Sequence, residues 1–111
     1  MINKKIQNSR FSENTLQLEC IAWFRNEYER HKKGCIVPVP NELAFKRKDV
    51  VIKEGCSDLI VFLPGKALFI ELKVGYNTQQ DNQIEFQSLV EGLGFDYYLA
   101  YSLPQFKQIL I

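Results

Sequence analysis

Apolar positions change their spacing several times along the chain, and each change marks an element. From Leu16 they fall at Leu16, Cys20, Trp23, Phe24 and Tyr28, which is one face of a helix. Asn14 and Gln17 stand in capping-box spacing and are expected to open this helix, and Gly34, after "HKK", is expected to close it. "CIVPVPN" reads as a short extended segment whose two prolines confine it to a sheet edge or a strand end. "ELAFKRKDVVIKEG" shows no clear period and reads as a polar, basic connection with short apolar content.

Residues 58–63 and 67–73 are two β-rich, nearly unbroken apolar runs joined by "PGK", a tight turn built on Pro64 and Gly65. Strands apolar on both faces need cover on both sides, so this hairpin belongs to a central sheet with helices packed on it. "DNQIEFQSLVEGLG" supplies one cover, with Phe86, Leu89, Val90 and Leu93 at i, i+3, i+4 and i+7. "FDYYLAYS" then reads as a strand and "LPQFKQILI" as a terminal helix beginning near Pro104. The order is helix, strand, hairpin, helix, strand, helix, an α/β class.

A length of 111 residues predicts one domain over 1–111, with room for a single core. Fourteen basic against thirteen acidic residues leave a net charge of +1, so any grip on an anionic partner has to come from local patches. The beginning has no apolar h-region and no apolar run approaches spanning length, which predicts a cytoplasmic protein without a membrane segment. Cys20, Cys35 and Cys56 form an odd set without a C-x-x-C clamp, and buried reduced thiols are favoured over a zinc site with His31.

The chemistry concentrates in "CSDLIVFLPGKALFIELKVG". Residues i and i+2 of a strand share a face, so Glu71 and Lys73 project side by side with Leu72 turned to the other layer. Asp58 opens the partner strand, and pairing across the Pro64-Gly65 turn carries it to the Glu71 end. Two clustered carboxylates repel each other unless a cation lies between them, and oxygen donors suit a hard ion, Mg²⁺ or Mn²⁺. A neighbouring lysine can hold or deprotonate a water, or stabilise charge on a phosphate. A cross-strand salt bridge would explain Glu-x-Lys alone. The combination of Asp, strand, turn, strand and Glu-x-Lys favours a site.

This combination resembles the PD-(D/E)xK nuclease superfamily, and the surrounding words resemble its VRR-Nuc branch. The matching residues are Pro40-Asn41, "EGCSDL" with Gly55 and Asp58, "FIELK" with Glu71 and Lys73, and Gln83-x-x-Phe86. Upstream, "SENTLQ" and "AWFR" are similar to the family's opening helix, which puts its acidic position on Glu13. Two departures stand out: Ser57 replaces the proline that commonly precedes the aspartate, and Gln79-Gln80 replace the usual Ser or Thr cap before Gln83. The resemblance implies a restriction-endonuclease-like central mixed sheet flanked by helices. It further implies a Mg²⁺- or Mn²⁺-dependent DNA endonuclease with Asp58, Glu71 and the Leu72 carbonyl as metal ligands. Glu13, Asp58, Glu71, Lys73 and Gln83 then form the catalytic set. Products with 5′-phosphate and 3′-hydroxyl ends, and homodimers acting on four-way junctions or other branched DNA, are likewise implied.

Helix geometry bears on Glu13 separately. At about 100° per residue it falls within the sector of Leu16, Cys20 and Phe24, whereas Glu19 lies at the flank beyond Trp23 and is the substitute. A helix-start charge interacting with the dipole explains Glu13 equally well from the residues alone; the resemblance selects the site. Gln83, three residues before Phe86, extends the buried stripe toward the acids. For DNA contact, Lys46, Arg47 and Lys48 with Lys53 are the expected basic patch, joined by Asn41 through the family match, while His31–Lys33 reads as a solvated surface. The competing expectation is a catalytically silent nuclease-fold module that binds DNA or serves assembly. A non-nuclease metal hydrolase is disfavoured by the lack of a His-rich ligand set.

Overall fold

A computed structural model describes residues 9–39 and 57–111, with side chains from Glu13 onward in the first helix. The elements are α1 (Ser9–Glu27), a 3-10 turn (Glu29–His31), β1 (Cys35–Pro38), β2 (Leu59–Leu63), β3 (Lys66–Leu72), α2 (Asp81–Gly92), β4 (Asp96–Ala100) and α3 (Leu103–Ile109). The strands form one sheet in the order β1-β2-β3-β4. β1, β2 and β3 pair antiparallel, and β4 joins β3 in parallel after the crossover through α2. The α/β expectation of a mixed sheet flanked by helices therefore holds.

Strand alternation sorts the apolar residues onto two faces. Ile36, Leu59, Val61, Leu68, Ile70, Leu72 and Ala100 meet Leu16, Cys20 and Phe24 of α1 and Phe106 and Leu110 at the C-terminal helix. The opposite face carries Phe69 and Tyr97, covered by Phe86 and Val90 of α2. The expected four-residue stripe of α2 is only half used, since Leu89 and Leu93 stay 50% and 67% exposed. α2 packs along the single line of Phe69 and Tyr97, and the flank of its stripe extends past that line.

Three local expectations change. The first helix is already formed at Ser9, so Asn14 is an exposed interior position rather than a cap. "SRFSEN" contains no helix breaker, and propagation through it outweighs a capping pattern. Gly34 does not cap α1 either: Lys32, at φ 59, takes the left-handed position after the 3-10 turn. Gly34 is required for close approach instead, because a Cβ there would lie 2.7 Å from the Phe62 carbonyl oxygen and 2.8 Å from the Phe24 ring. The hairpin strands are shifted slightly from the expected 58–63 and 67–73, with Leu63 paired to Lys66 across a two-residue turn. Pro64 holds a negative φ and Gly65 takes φ 75, a type II arrangement. Asp58 and Lys73 consequently stand just past the strand ends.

The two later helices begin with side-chain help. Ser102 Oγ accepts from the Gln105 amide at 3.2 Å, with Leu103 and Pro104 opening α3. At α2, Gln80 is the N-cap residue and its amide donates to Gln83 Oε1 at 2.9 Å. Gln80 and Gln83 thus open the helix without a Ser or Thr cap.

Candidate active site

The β2–β3 ladder ends at the Leu59–Ile70 pair, and the same register continued by one residue sets Asp58 opposite Glu71. Both lie on the Phe69 face, as does Lys73 by alternation. All three are buried, at 8%, 3% and 6% exposure. Here burial is combined with ionisable chemistry, and the local contacts show how it is managed.

Asp58 Oδ2 accepts from the Leu72 amide at 2.7 Å. The Lys73 amide on the other edge donates to the Ala100 carbonyl of β4 at 3.0 Å. A strand residue directs its N–H and C=O to the same side, so the Leu72 carbonyl faces the Asp58 side rather than β4. Glu71 Oε2 receives Gln83 Nε2 at 2.8 Å and lies 3.4 Å from Lys73 Nζ. Gln83 therefore has both amide ends engaged, Oε1 on the α2 start and Nε2 on Glu71, which fixes its orientation. Glu71 Oε1 is buried and has no hydrogen-bond partner. Burial first, and the charge of Asp58 second, push the Glu71 carboxyl up to about 8 despite the opposing pull of Lys73. The Lys73–Glu71 ion pair exists, yet it satisfies only one of the two carboxylate oxygens.

Glu13, Asp58, Glu71, Lys73, Asn77, Thr78, Gln80 and Gln83 surround one cavity of about 370 Å³. Glu13 approaches from α1 on the opposite sheet face, and its Oε2 accepts from Asn77 Nδ2 at 3.2 Å. It lies past the first turn of α1, outside the reach of a helix-start dipole interaction. Glu19 is exposed and does not line the cavity. Three carboxyl groups and one lysine line the cavity, and with the Glu71 carboxyl raised to about 8 the lining becomes most negative once the pH exceeds that value.

The donor set fits a hard divalent ion. Glu71 Oε1 is an acceptor without a donor, Asp58 faces it, and every nearby candidate ligand is oxygen. Among the described residues no three His, Cys, Asp or Glu side chains converge on one point. Two carboxylates, a backbone carbonyl and retained water match the way Mg²⁺ is held, with few protein ligands and several waters.

Asn77, Thr78 and Gln80 line the cavity without having been anticipated. The Gly75-x-Asn77 turn signal, separated from Glu-x-Lys by Val74 alone, was the available clue. Ser57, in place of the proline, is fully buried and its hydroxyl donates to the Leu59 carbonyl at 3.1 Å, bracing the approach to Asp58 by a hydrogen bond instead of a ring. Asn41, Lys46, Arg47, Lys48 and Lys53 lie outside the described residues, as do Pro40, Gly55 and Cys56. His31, Lys32 and Lys33 are exposed, and the two lysines line an open depression with Phe62 and Pro64 at the hairpin end, away from Asp58. Cys20 is buried, its thiol pushed up to about 12 by desolvation and then by Glu19, whereas Cys35 is exposed rather than buried as expected.

A solved structure described as a VRR_NUC domain protein has the same fold, with a TM-score of 0.70 over 88% of this chain and 84% of that one, at 20% sequence identity. No family model and no curated protein matches the sequence.

Proposed function

We propose that the chain belongs to the VRR-Nuc family and is a metal-dependent DNA endonuclease of the PD-(D/E)xK type. The observation that carries this reading is the opposition of Asp58 and Glu71 at the open end of the hairpin, with a buried, donorless Glu71 oxygen and Lys73 Nζ beside it. The likeness in fold to a VRR_NUC domain protein supports it.

Asp58, Glu71 and the Leu72 carbonyl would hold Mg²⁺ or Mn²⁺, which when bound offsets the carboxylate charge that otherwise repels a phosphodiester and lowers the pKa of a coordinated water. The chain's own residues do the rest. The Leu72 amide orients Asp58, and Gln83 Nε2 fixes one oxygen of Glu71 so that the other faces the cavity. Lys73 orients the attacking water and stabilises negative charge developing on the phosphate during in-line displacement. Glu13 adds a carboxylate at the rim, steadied by Asn77. The bond broken leaves 5′-phosphate and 3′-hydroxyl ends. Asn41, Lys46, Arg47, Lys48 and Lys53 grip flanking phosphates.

The substrate we favour is branched DNA such as a four-way junction, cut by a homodimer whose two-fold symmetry matches that of the junction. No helix among the described residues is long and apolar enough to cross a membrane. Linear, flap, splayed and four-way DNAs are incubated with Mg²⁺ or Mn²⁺ beside a Glu71→Ala control, and light scattering gives the oligomeric state. Metal-dependent cleavage absent from the control is expected. Protein that binds these DNAs but cuts none with either ion would be a silent nuclease-fold module. A monomer cutting linear duplex as readily as a junction would remove the dimer and junction parts of the reading.

A further inference from the structure

Directly beyond Lys73 the chain makes a tight turn, Val74 to Asn77, at the rim of the cavity. The Asn77 amide donates to the Val74 carbonyl at 3.1 Å. Gly75 takes φ 59 at the second position of this turn, while Tyr76 keeps a negative φ at the third, a II′ arrangement. Tyr76 is 95% exposed. Its neighbours Asn77 and Thr78 line the cavity.

The turn is clamped from two other segments. Asn77 Nδ2 donates to Glu13 Oε2 of α1 at 3.2 Å, and the Tyr101 hydroxyl, beyond β4, donates to the Asn77 carbonyl at 3.0 Å. An aromatic ring with both faces in water is thus mounted on a backbone held by its neighbour, so the backbone beneath it is already ordered when something stacks on it. Three residues of extended chain span at most roughly 11 Å, so the ring is within a few nucleotides of Lys73, given a rise of about 3.4 Å per nucleotide along a strand.

Resting on the nuclease reading above, we propose that Tyr76 is a base-stacking platform beside the scissile phosphate, so that the site takes DNA with an unstacked base face there. Inside a continuous duplex both faces of every base are already stacked on neighbours. A flat aromatic side chain can cover a base face only where the stack is interrupted, at a single strand, a flap, a branch point or a duplex end. The ring thereby selects DNA with a discontinuity next to the cleaved bond, and the cavity lined by its neighbours Asn77 and Thr78 receives the phosphate.

The test measures binding by fluorescence anisotropy in Ca²⁺, another hard oxygen-seeking ion. The probes are a labelled single strand, the same strand with abasic sites, a flap and a blunt duplex long enough that interior sites far outnumber its two ends. Wild type should prefer the base-bearing single strand and the flap. Tyr76→Ala should weaken these two by roughly five- to a hundredfold, as stacked bases do elsewhere, and leave abasic and blunt-duplex binding unchanged. Tyr76→Phe and Tyr76→Trp should keep the preference, because the ring face and not the hydroxyl makes the contact. Quenching of 2-aminopurine in the single strand by wild type, and its loss in Tyr76→Ala, would report the stack directly. Unchanged single-strand and flap affinity in Tyr76→Ala, in a protein that still binds and cuts DNA, overturns the platform alone. Wild type that neither binds nor cuts any DNA overturns the nuclease reading, and the platform with it.

Discussion

Asp58 stands opposite Glu71 across the open end of the β2–β3 hairpin, one residue beyond the last ladder pair, with both carboxylates buried. Their mutual repulsion is only partly relieved by Lys73, and one Glu71 oxygen is left without a donor. Such an arrangement is costly for the fold and useful to a cation.

Asp58→Ala and Glu71→Ala should each abolish cleavage while the fold persists. Residues standing behind metal ligands already cost about 10–100-fold when removed, so loss of a ligand should exceed roughly a hundredfold. Without metal, Asp58→Ala should cost roughly 1–3 kcal/mol, because the buried Leu72 amide loses its acceptor at 2.7 Å. Cleavage assays in Mg²⁺ beside urea melts in EDTA check this, and near-normal turnover in either variant would refute the ligand assignment.

Stability of the metal-free protein should fall as pH rises. Glu71 has its carboxyl raised from an ordinary 4.5 to about 8, chiefly by burial and then by Asp58, so the folded chain holds this proton more tightly than the unfolded one. Its contribution is fully present below about pH 4.5 and is lost progressively toward pH 8. Glu71→Gln, which cannot ionise, should flatten that slope and exceed wild type at pH 8 in EDTA. Mg²⁺ should stabilise wild type at pH 8 by binding the folded state. Urea unfolding at pH 5 and pH 8 with and without Mg²⁺ reads all three.

Lys73→Ala should lower the cleavage rate by roughly 10²–10⁴-fold, in the range of lost acid–base or electrostatic assistance, with little change in DNA affinity. Replacing Lys46, Arg47 and Lys48 together by alanine should instead weaken binding and flatten its salt dependence. Single-turnover rates and titrations at several salt concentrations distinguish them. Equal effects of both variants on both quantities would erase the division between chemistry and grip.

Gly34→Ala should destabilise the fold by about 1–3 kcal/mol, the usual range for forcing an extra carbon into a packed site. Its Cβ would meet the Phe62 carbonyl oxygen at 2.7 Å, and backbone cannot swing aside as a side chain can. Chemical denaturation measures this directly, and a variant as stable as wild type would show that β1 and β2 can part there without loss.

Much of this molecule is legible without coordinates because its signals are local. A period near 3.6 identifies α1 and α2, the Pro64-Gly65 pair places the hairpin, and the two-residue strand period puts Glu71 and Lys73 on one face. The same locality explains the misreadings. A capping pattern at Asn14 cannot outweigh helix propagation from Ser9, and a stripe through Leu89 and Leu93 does not reveal how narrow the apolar line beneath it is. Only the tertiary structure sets Asp58 opposite Glu71, brings Glu13 around the strand ends to Asn77, and gives Gly34 its role against Phe62 and Phe24. Register, desolvation and close approach are sums over contacts between segments distant in sequence, and no single stretch of chain contains them.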